Sequence, residues 1–177
     1  VGSEMCIRDT PIPEPHGAFL QGKRAAFNDP MAPFIPAHVT LLGPTEVPLA
    51  DFARLGDHLS AVAAGIDEFE MVLRGTGTFR PVSDVVFVQV AQGISACEAL
   101  ERSIRSGEWH QDLTFPYHPH VTVAHDVDEG DLDRAFEDLA DFHARFTVAQ
   151  IWLFVQGASG AWSPLRSFPL RRRGVPS

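Results

Sequence analysis

The sequence predicts a single mixed α and β domain built from a duplicated β-α-β-α-β unit. Three observations carry this. Segments with alternating apolar residues interleave with segments whose apolar residues recur every three to four positions, the periods of strand and helix. The segments His38-Val39-Thr40-Leu41 and His120-Val121-Thr122-Val123 match each other 82 positions apart, and the elements around them follow the same order. The 177 residues, 45% hydrophobic and 21% charged, suit one domain or two small lobes sharing a core.

Taken in order, Pro11-Ile12-Pro13-Glu14-Pro15 is a rigid lead-in, and residues 17–27 form a short helix stopped at Asn28-Asp29-Pro30. Residues 37–42, AHVTLL, form a strand closed by Gly43-Pro44. Leu49, Phe52, Leu55, Leu59 and Val62 mark a helix over 49–66, stopped at Gly65. Residues 69–79 are a strand loosened by Gly75 and Gly77, and Pro81-Val82-Ser83-Asp84 turns the chain into the strand 85–90, VVFVQV. Ile94, Cys97, Leu100 and Ile104 share one side of a helix over 94–105. A strand over 120–124 is entered through Pro116-Tyr117-His118-Pro119. An acidic helix over 131–142 turns Leu132, Phe136 and Leu139 inward, a strand covers 146–155, Gly157 to Gly160 turn, and a last strand lies around 165–170. Arg171, Arg172 and Arg173 begin a solvated basic tail, residues 171–177.

The first unit lacks an opening strand in this reading. Val85 opens the second unit 35 residues before His120, and the same distance before His38 falls at residue 3. That position lies inside VGSEMCIRD, residues 1–9, which resembles a translated transposon-type sequencing adapter. The expectation is that 1–9 are an adapter artefact, that the native first strand is truncated here, and that the domain proper spans 10–170.

Charge narrows the function classes. Fourteen Lys plus Arg against 23 Asp plus Glu give −9, so a broad nucleic-acid-binding face is not expected, and any nucleic acid is met in a small local site. No apolar run approaches the ~20 residues that span a bilayer, which leads to the expectation of a cytoplasmic monomer with no membrane partner. Cys6 and Cys97 form no CxxC and no disulfide framework, so reduced thiols are expected. There is no GK[ST] loop, Gly157-Ala158-Ser159-Gly160-Ala161 lacks the last glycine of a nucleophile elbow, and Gly75 to Arg80 is no dinucleotide fingerprint. An ATP-dependent ligase is therefore disfavoured.

The chemistry lies in the repeated His-x-Thr. In a strand, residues i and i+2 share a face, so His38 with Thr40 and His120 with Thr122 each make one polar spot, while Val39, Leu41, Val121 and Val123 point the other way into the core. One His-x-Thr is a weak signal; two in equivalent places of a duplicated unit are a strong one, because a pseudo-two-fold axis brings them together across a shared cleft. His118, His120 and His125 invite a zinc reading, but no acidic or thiolate partner is fixed by spacing and Pro119 disturbs the shared face, so no metal is expected. His16, His58, His110 and His143 read as surface or helix-cap residues.

HVTL and HVTV, with the PYHPHVTVAHD context and the FRPVSDVVFV strand pair, resemble the 2H phosphoesterase superfamily and, within it, the 2′-5′ RNA ligase-like proteins. The resemblance covers nearly the whole chain from Pro11. It implies an α+β, pseudo-two-fold bilobal fold with two antiparallel sheets flanked by helices around a central cleft. It also implies metal-independent, cofactor-free chemistry on a 2′,3′-cyclic phosphate RNA end or related cyclic nucleotide, with 2′-5′ RNA ligase activity as an additional expectation. His38 and His120 are then general acid and base, in an order the sequence leaves open, and Thr40 and Thr122 bind phosphate oxygens. Arg80 near the hairpin, Tyr117 and His118 are candidates for substrate contact; Phe115 reads as packing or base stacking. The competing class is a non-catalytic module holding a nucleotide or RNA end in the same cleft.

Overall fold

Alternation and helical periodicity become eight strands and four α-helices in the computed structural model, which describes residues 2–174. In chain order these are β1 (Ser3–Pro11), α1 (His16–Ala26), β2 (His38–Pro48), α2 (Phe52–Ala64), β3 (Phe69–Thr78), β4 (Val85–Gln92), α3 (Ile94–Ile104), β5 (His120–His125), α4 (Glu129–Asp138), β6 (His143–Val148), β7 (Gln150–Gln156) and β8 (Trp162–Pro169). They make two four-stranded antiparallel sheets, ordered β2-β1-β7-β8 and β5-β4-β3-β6. The fold is α+β and its two halves correspond: each His-x-Thr strand is the edge of its sheet, beside the opening strand of its own unit. The closing strand of each unit crosses to the other sheet, β3 beside β4 and β7 beside β1. That exchange ties the lobes together and brings β2 and β5 against each other.

The expected loss of the opening strand is corrected. β1 begins at residue 3, where the duplication places it, and is paired with β2 on one side and β7 on the other. Strand pairing uses backbone N–H and C=O, which these residues supply regardless of side chain, and Cys6, Ile7 and Thr10 are buried as a central strand requires. Residue 10, expected to open the domain, is therefore inside a strand.

Two side chains fit that strand poorly. Arg8 reaches Thr45 Oγ1 through Nη2 at 3.1 Å, but its Nε is buried without a partner, and so are both carboxyl oxygens of Asp9. By register Asp9 faces Thr40, as Phe87 faces Thr122 in the other unit, so an acid stands where the duplicate carries a ring. Burial pushes the Asp9 carboxyl up from 3.8 to about 8. We expect Asp9→Val to raise stability by about 1–3 kcal/mol, the cost of an unsatisfied buried polar group, read as a higher Tm. The folded protein holds a proton that the unfolded chain releases above pH 4, so this group alone makes stability fall as pH rises from about 4 to about 8. His38 drives the opposite slope only below about 6.5. The variant should therefore lose a decline seen between pH 6.5 and 8; a lower Tm for Asp9→Val would contradict the assignment.

The remaining differences have local causes. The single strand expected over 146–155 is two, β6 and β7, parted at Ala149, where the chain leaves one sheet for the other; the Ala149 carbonyl accepts the Leu170 amide at the junction. β2 runs on through Gly43-Pro44 to Pro48 because β1 pairs with it along that length. Helix periodicity holds for Leu55, Leu59, Cys97, Leu100, Ile104, Leu132 and Leu139, all buried, whereas Leu49, Ile94 and Phe136 at or near helix ends are exposed. Arg171 is not simply solvated: its backbone bonds Ile66 and Glu68, although the side chains of Arg171, Arg172 and Arg173 are exposed. Residues 175–177 of the expected tail lie outside the described residues. No described helix is long and apolar enough to cross a membrane.

Candidate active site

Both His-x-Thr segments form the alternation the sequence implies. His38 and Thr40 are half-buried around a buried Val39, and His120 and Thr122 likewise around Val121. The apolar residues anchor each edge strand in its core, at about 1.5–3 kcal/mol for a fully buried side chain. The polar residues are thereby fixed on the opposite face.

The two imidazoles are oriented by the same local device. His38 Nδ1–H donates to the Pro36 carbonyl at 2.8 Å, and His120 Nδ1–H donates to the His118 carbonyl at 2.6 Å. A carbonyl only accepts, so each neutral ring carries its proton on Nδ1 and keeps Nε2 as the reactive nitrogen. In His38 that Nε2 accepts from the Thr40 hydroxyl at 3.1 Å. Burial lowers His38 from 6.5 to about 4, and the charges of Arg24 and His120 push in the same direction. His120 is also lowered, first by desolvation and then by His118.

Aromatic rings set that desolvation. Phe79 meets His120 edge-on with centroids 5.0 Å apart, Phe87 lies 5.1 Å from the same ring, and both also contact His118. Gly77 makes room for the cluster, since a Cβ there would lie 2.6 Å from Phe87 Cε2. Neither phenylalanine stands out in the sequence as anything but strand core.

Thr40 and His120 help line a cleft of about 490 Å³ whose walls come from β2, the β3–β4 turn, α3 and residues 113–118. Tyr117 is at this wall and donates its hydroxyl to the Thr40 carbonyl at 2.8 Å, tying the segment before β5 to β2. His118 lines the cleft too. His38 and Thr122 are not part of that wall, and Thr122 sits on the His120 face of β5 opposite Phe87. Arg80 does not reach the cleft: Nη1 pairs with Asp133 Oδ1 at 2.8 Å and Nε with Thr78 Oγ1 at 3.3 Å. Two residues that the sequence reading passed over matter here. Glu101, buried on α3, lines the cleft. Asp29 accepts from Arg24 Nε at 2.7 Å, the Met31 amide at 2.9 Å and the His125 amide at 3.0 Å, joining α1 to the end of β5.

Known proteins share this architecture. A solved phosphoesterase structure superposes with a TM-score of 0.72 at 19% identity, covering 96% of this chain and 99% of that one. Escherichia coli LigT in complex with 3′-AMP gives 0.70 at 18% identity over the same shares of the two chains. In sequence, a protein of Oceanobacillus iheyensis whose name includes the word phosphoesterase is 24% identical over 146 residues, 81% of this chain and 85% of its own. The profile of the 2′-5′ RNA ligase superfamily matches residues 12–160, including both His-x-Thr segments. The chain therefore belongs to the 2′-5′ RNA ligase superfamily and is an enzyme of the 2H phosphoesterase type.

Proposed function

We propose that the protein opens 2′,3′-cyclic phosphates at RNA ends or on related nucleotides, using His38 as general base and His120 as general acid. The observation that carries this is the matched pair of imidazoles, each held through Nδ1 by the carbonyl two residues earlier. His38, lowered the further to about 4, stays neutral at working pH and suits the base; His120 is the ring better able to hold the acid proton. His38 Nε2 takes a proton from water as its oxygen bonds to phosphorus. The bond from phosphorus to one ribose oxygen breaks, and that oxygen takes the proton from His120 Nε2. On substrate binding the Thr40 hydroxyl turns from His38 Nε2 to a non-bridging oxygen, which frees Nε2 to act as base, and Thr122 donates to the other; the charge on these oxygens grows in the transition state. An RNA 5′-hydroxyl in place of water attacking the ring gives a phosphodiester by the same proton transfers, which is the ligase direction. Neither direction calls on a metal or an organic cofactor.

Both histidines are depressed, so the acid form of His120 is depleted above pH 6.5. We expect kcat/KM for a nucleoside 2′,3′-cyclic phosphate to peak between about pH 4 and 6.5 and to fall above that, approaching tenfold per unit. Steady-state rates across pH 4–9 check this, with the monophosphate as product. An optimum above pH 7 would contradict the assignment of roles. A binding module in the same cleft predicts affinity with no product at any pH.

A further inference from the structure

The cleft beside the histidines has an unusual chemistry for a phosphate site. No Lys or Arg belongs to its described walls, and its one formally charged side chain is an acid, Glu101. The nearby cations are already paired, Arg80 with Asp133, Arg24 with Asp29 and Arg105, from outside the wall, with Glu101 itself. Such a wall does not favour a string of phosphates. It suits one singly charged phosphodiester and a ring system held by something other than charge neutralisation.

Apolar side chains that face water frame this cleft. Val82 from the β3–β4 turn is 77% exposed, and Leu113 and Phe115 from the segment before β5 are 37% and 68% exposed. With Phe79 they give a planar ring surfaces to lie against, and covering them removes apolar area from water. Glu101 sets what the edge of that ring must carry. The residue is 3% exposed, which is unusual for an acid, and Oε1 accepts from Arg105 Nε at 2.5 Å. Oε2 takes no hydrogen bond among the described residues, and Glu101 is one of the residues that line the cleft. An ionised carboxylate only accepts hydrogen bonds.

Resting on the phosphoesterase reading above, we infer that Glu101 is a specificity residue that selects a base presenting adjacent N–H donors, and that the preferred substrate carries guanine. Guanine offers N1–H and the N2 amino group side by side, a match for a carboxylate. Uracil offers N3–H between two carbonyls that the carboxylate repels. Adenine and cytosine offer one amino group beside an acceptor nitrogen. A hydrogen bond to a charged group contributes more than a neutral one, and a site built for donors rejects a ring that lacks them. Glu101 sits apart from the two histidines on α3, so it acts on choice of base and not on proton transfer.

The test is calorimetric binding of guanosine 2′-monophosphate and uridine 2′-monophosphate to the wild-type protein and to Glu101→Gln, beside kcat/KM for the two 2′,3′-cyclic phosphates. The wild type should bind the guanosine nucleotide at least tenfold more tightly, and Glu101→Gln should bring the two within about threefold while its melting curve shows it folded. A purely structural role for Glu101 would weaken both nucleotides equally and leave their ratio intact. Equal affinities in the wild type, a preference that survives Glu101→Gln, or no saturable binding of either nucleotide would overturn the inference. Turnover without base preference would remove it and leave the catalytic reading standing. Base-selective binding without turnover would do the reverse.

Discussion

His38→Ala and His120→Ala should each lower kcat for cyclic phosphate opening by about 10²- to 10⁴-fold, the range a positioned acid or base contributes. The effects should not add in the double variant, because the two rings serve one proton-transfer sequence and removing either breaks it. Stability should change little. Each ring makes one bond to a neighbouring carbonyl, and His38 a second to Thr40. A neutral hydrogen bond is worth a net of about 0.5–1.5 kcal/mol. His38→Ala also removes a ring that is neutral when folded and protonated when unfolded between about pH 4 and 6.5, so that variant should lose less stability on acidification than the wild type. Rates near wild-type for either variant would defeat the mechanism. A collapse of the fold would instead assign the histidines to structure.

The second large effect concerns Asp29. Its carboxylate is buried and paired with the buried Arg24, and it also accepts two backbone amides, Met31 on its own loop and His125 at the end of β5. Asp29→Ala would strand the Arg24 guanidinium without its counter-charge and leave both amides to find other partners. Breaking one side of a buried ion pair costs about 3–5 kcal/mol, which for a chain of this size is a fall in Tm on the order of 10 °C. The loop that Asp29 braces leads to Pro36, whose carbonyl orients His38, so the surviving folded protein should also turn over more slowly. Urea denaturation checks the stability; a change under 1 kcal/mol would show that the pair contributes little.

What the sequence makes legible follows from the range of the interactions involved. The His-x-Thr pair could be read because it depends on residue identity and period two alone, both local. The place of β1 could be read because duplication carries distances from one half to the other. Its presence was misjudged because residues 1–9 were set aside for their resemblance to a translated adapter, whereas backbone pairing with β2 and β7 needs only main-chain groups, which any such segment supplies. The division of 146–155 into β6 and β7 was hidden in a run with strand character throughout; the break at Ala149 is dictated by which distant strand offers hydrogen bonds. Arg80 was legible as a cation near the hairpin, but its direction is set by Asp133 on α4, 53 residues away. Glu101 lies beside Cys97, Leu100 and Ile104 on the helical wheel, where an acid reads as the margin of an apolar stripe; only the packing of α3 against β2 turns it to the cleft.

The central claim is that two histidines open a cyclic phosphate by proton transfer alone. Hydrolysis of a nucleoside 2′,3′-cyclic phosphate by the wild-type protein in excess EDTA at pH 6, beside the His38→Ala/His120→Ala double variant, tests it most directly. The account predicts a monophosphate product formed at a rate the chelator does not change, and none above background with the double variant. Turnover that EDTA abolishes, or that persists without both histidines, would contradict it.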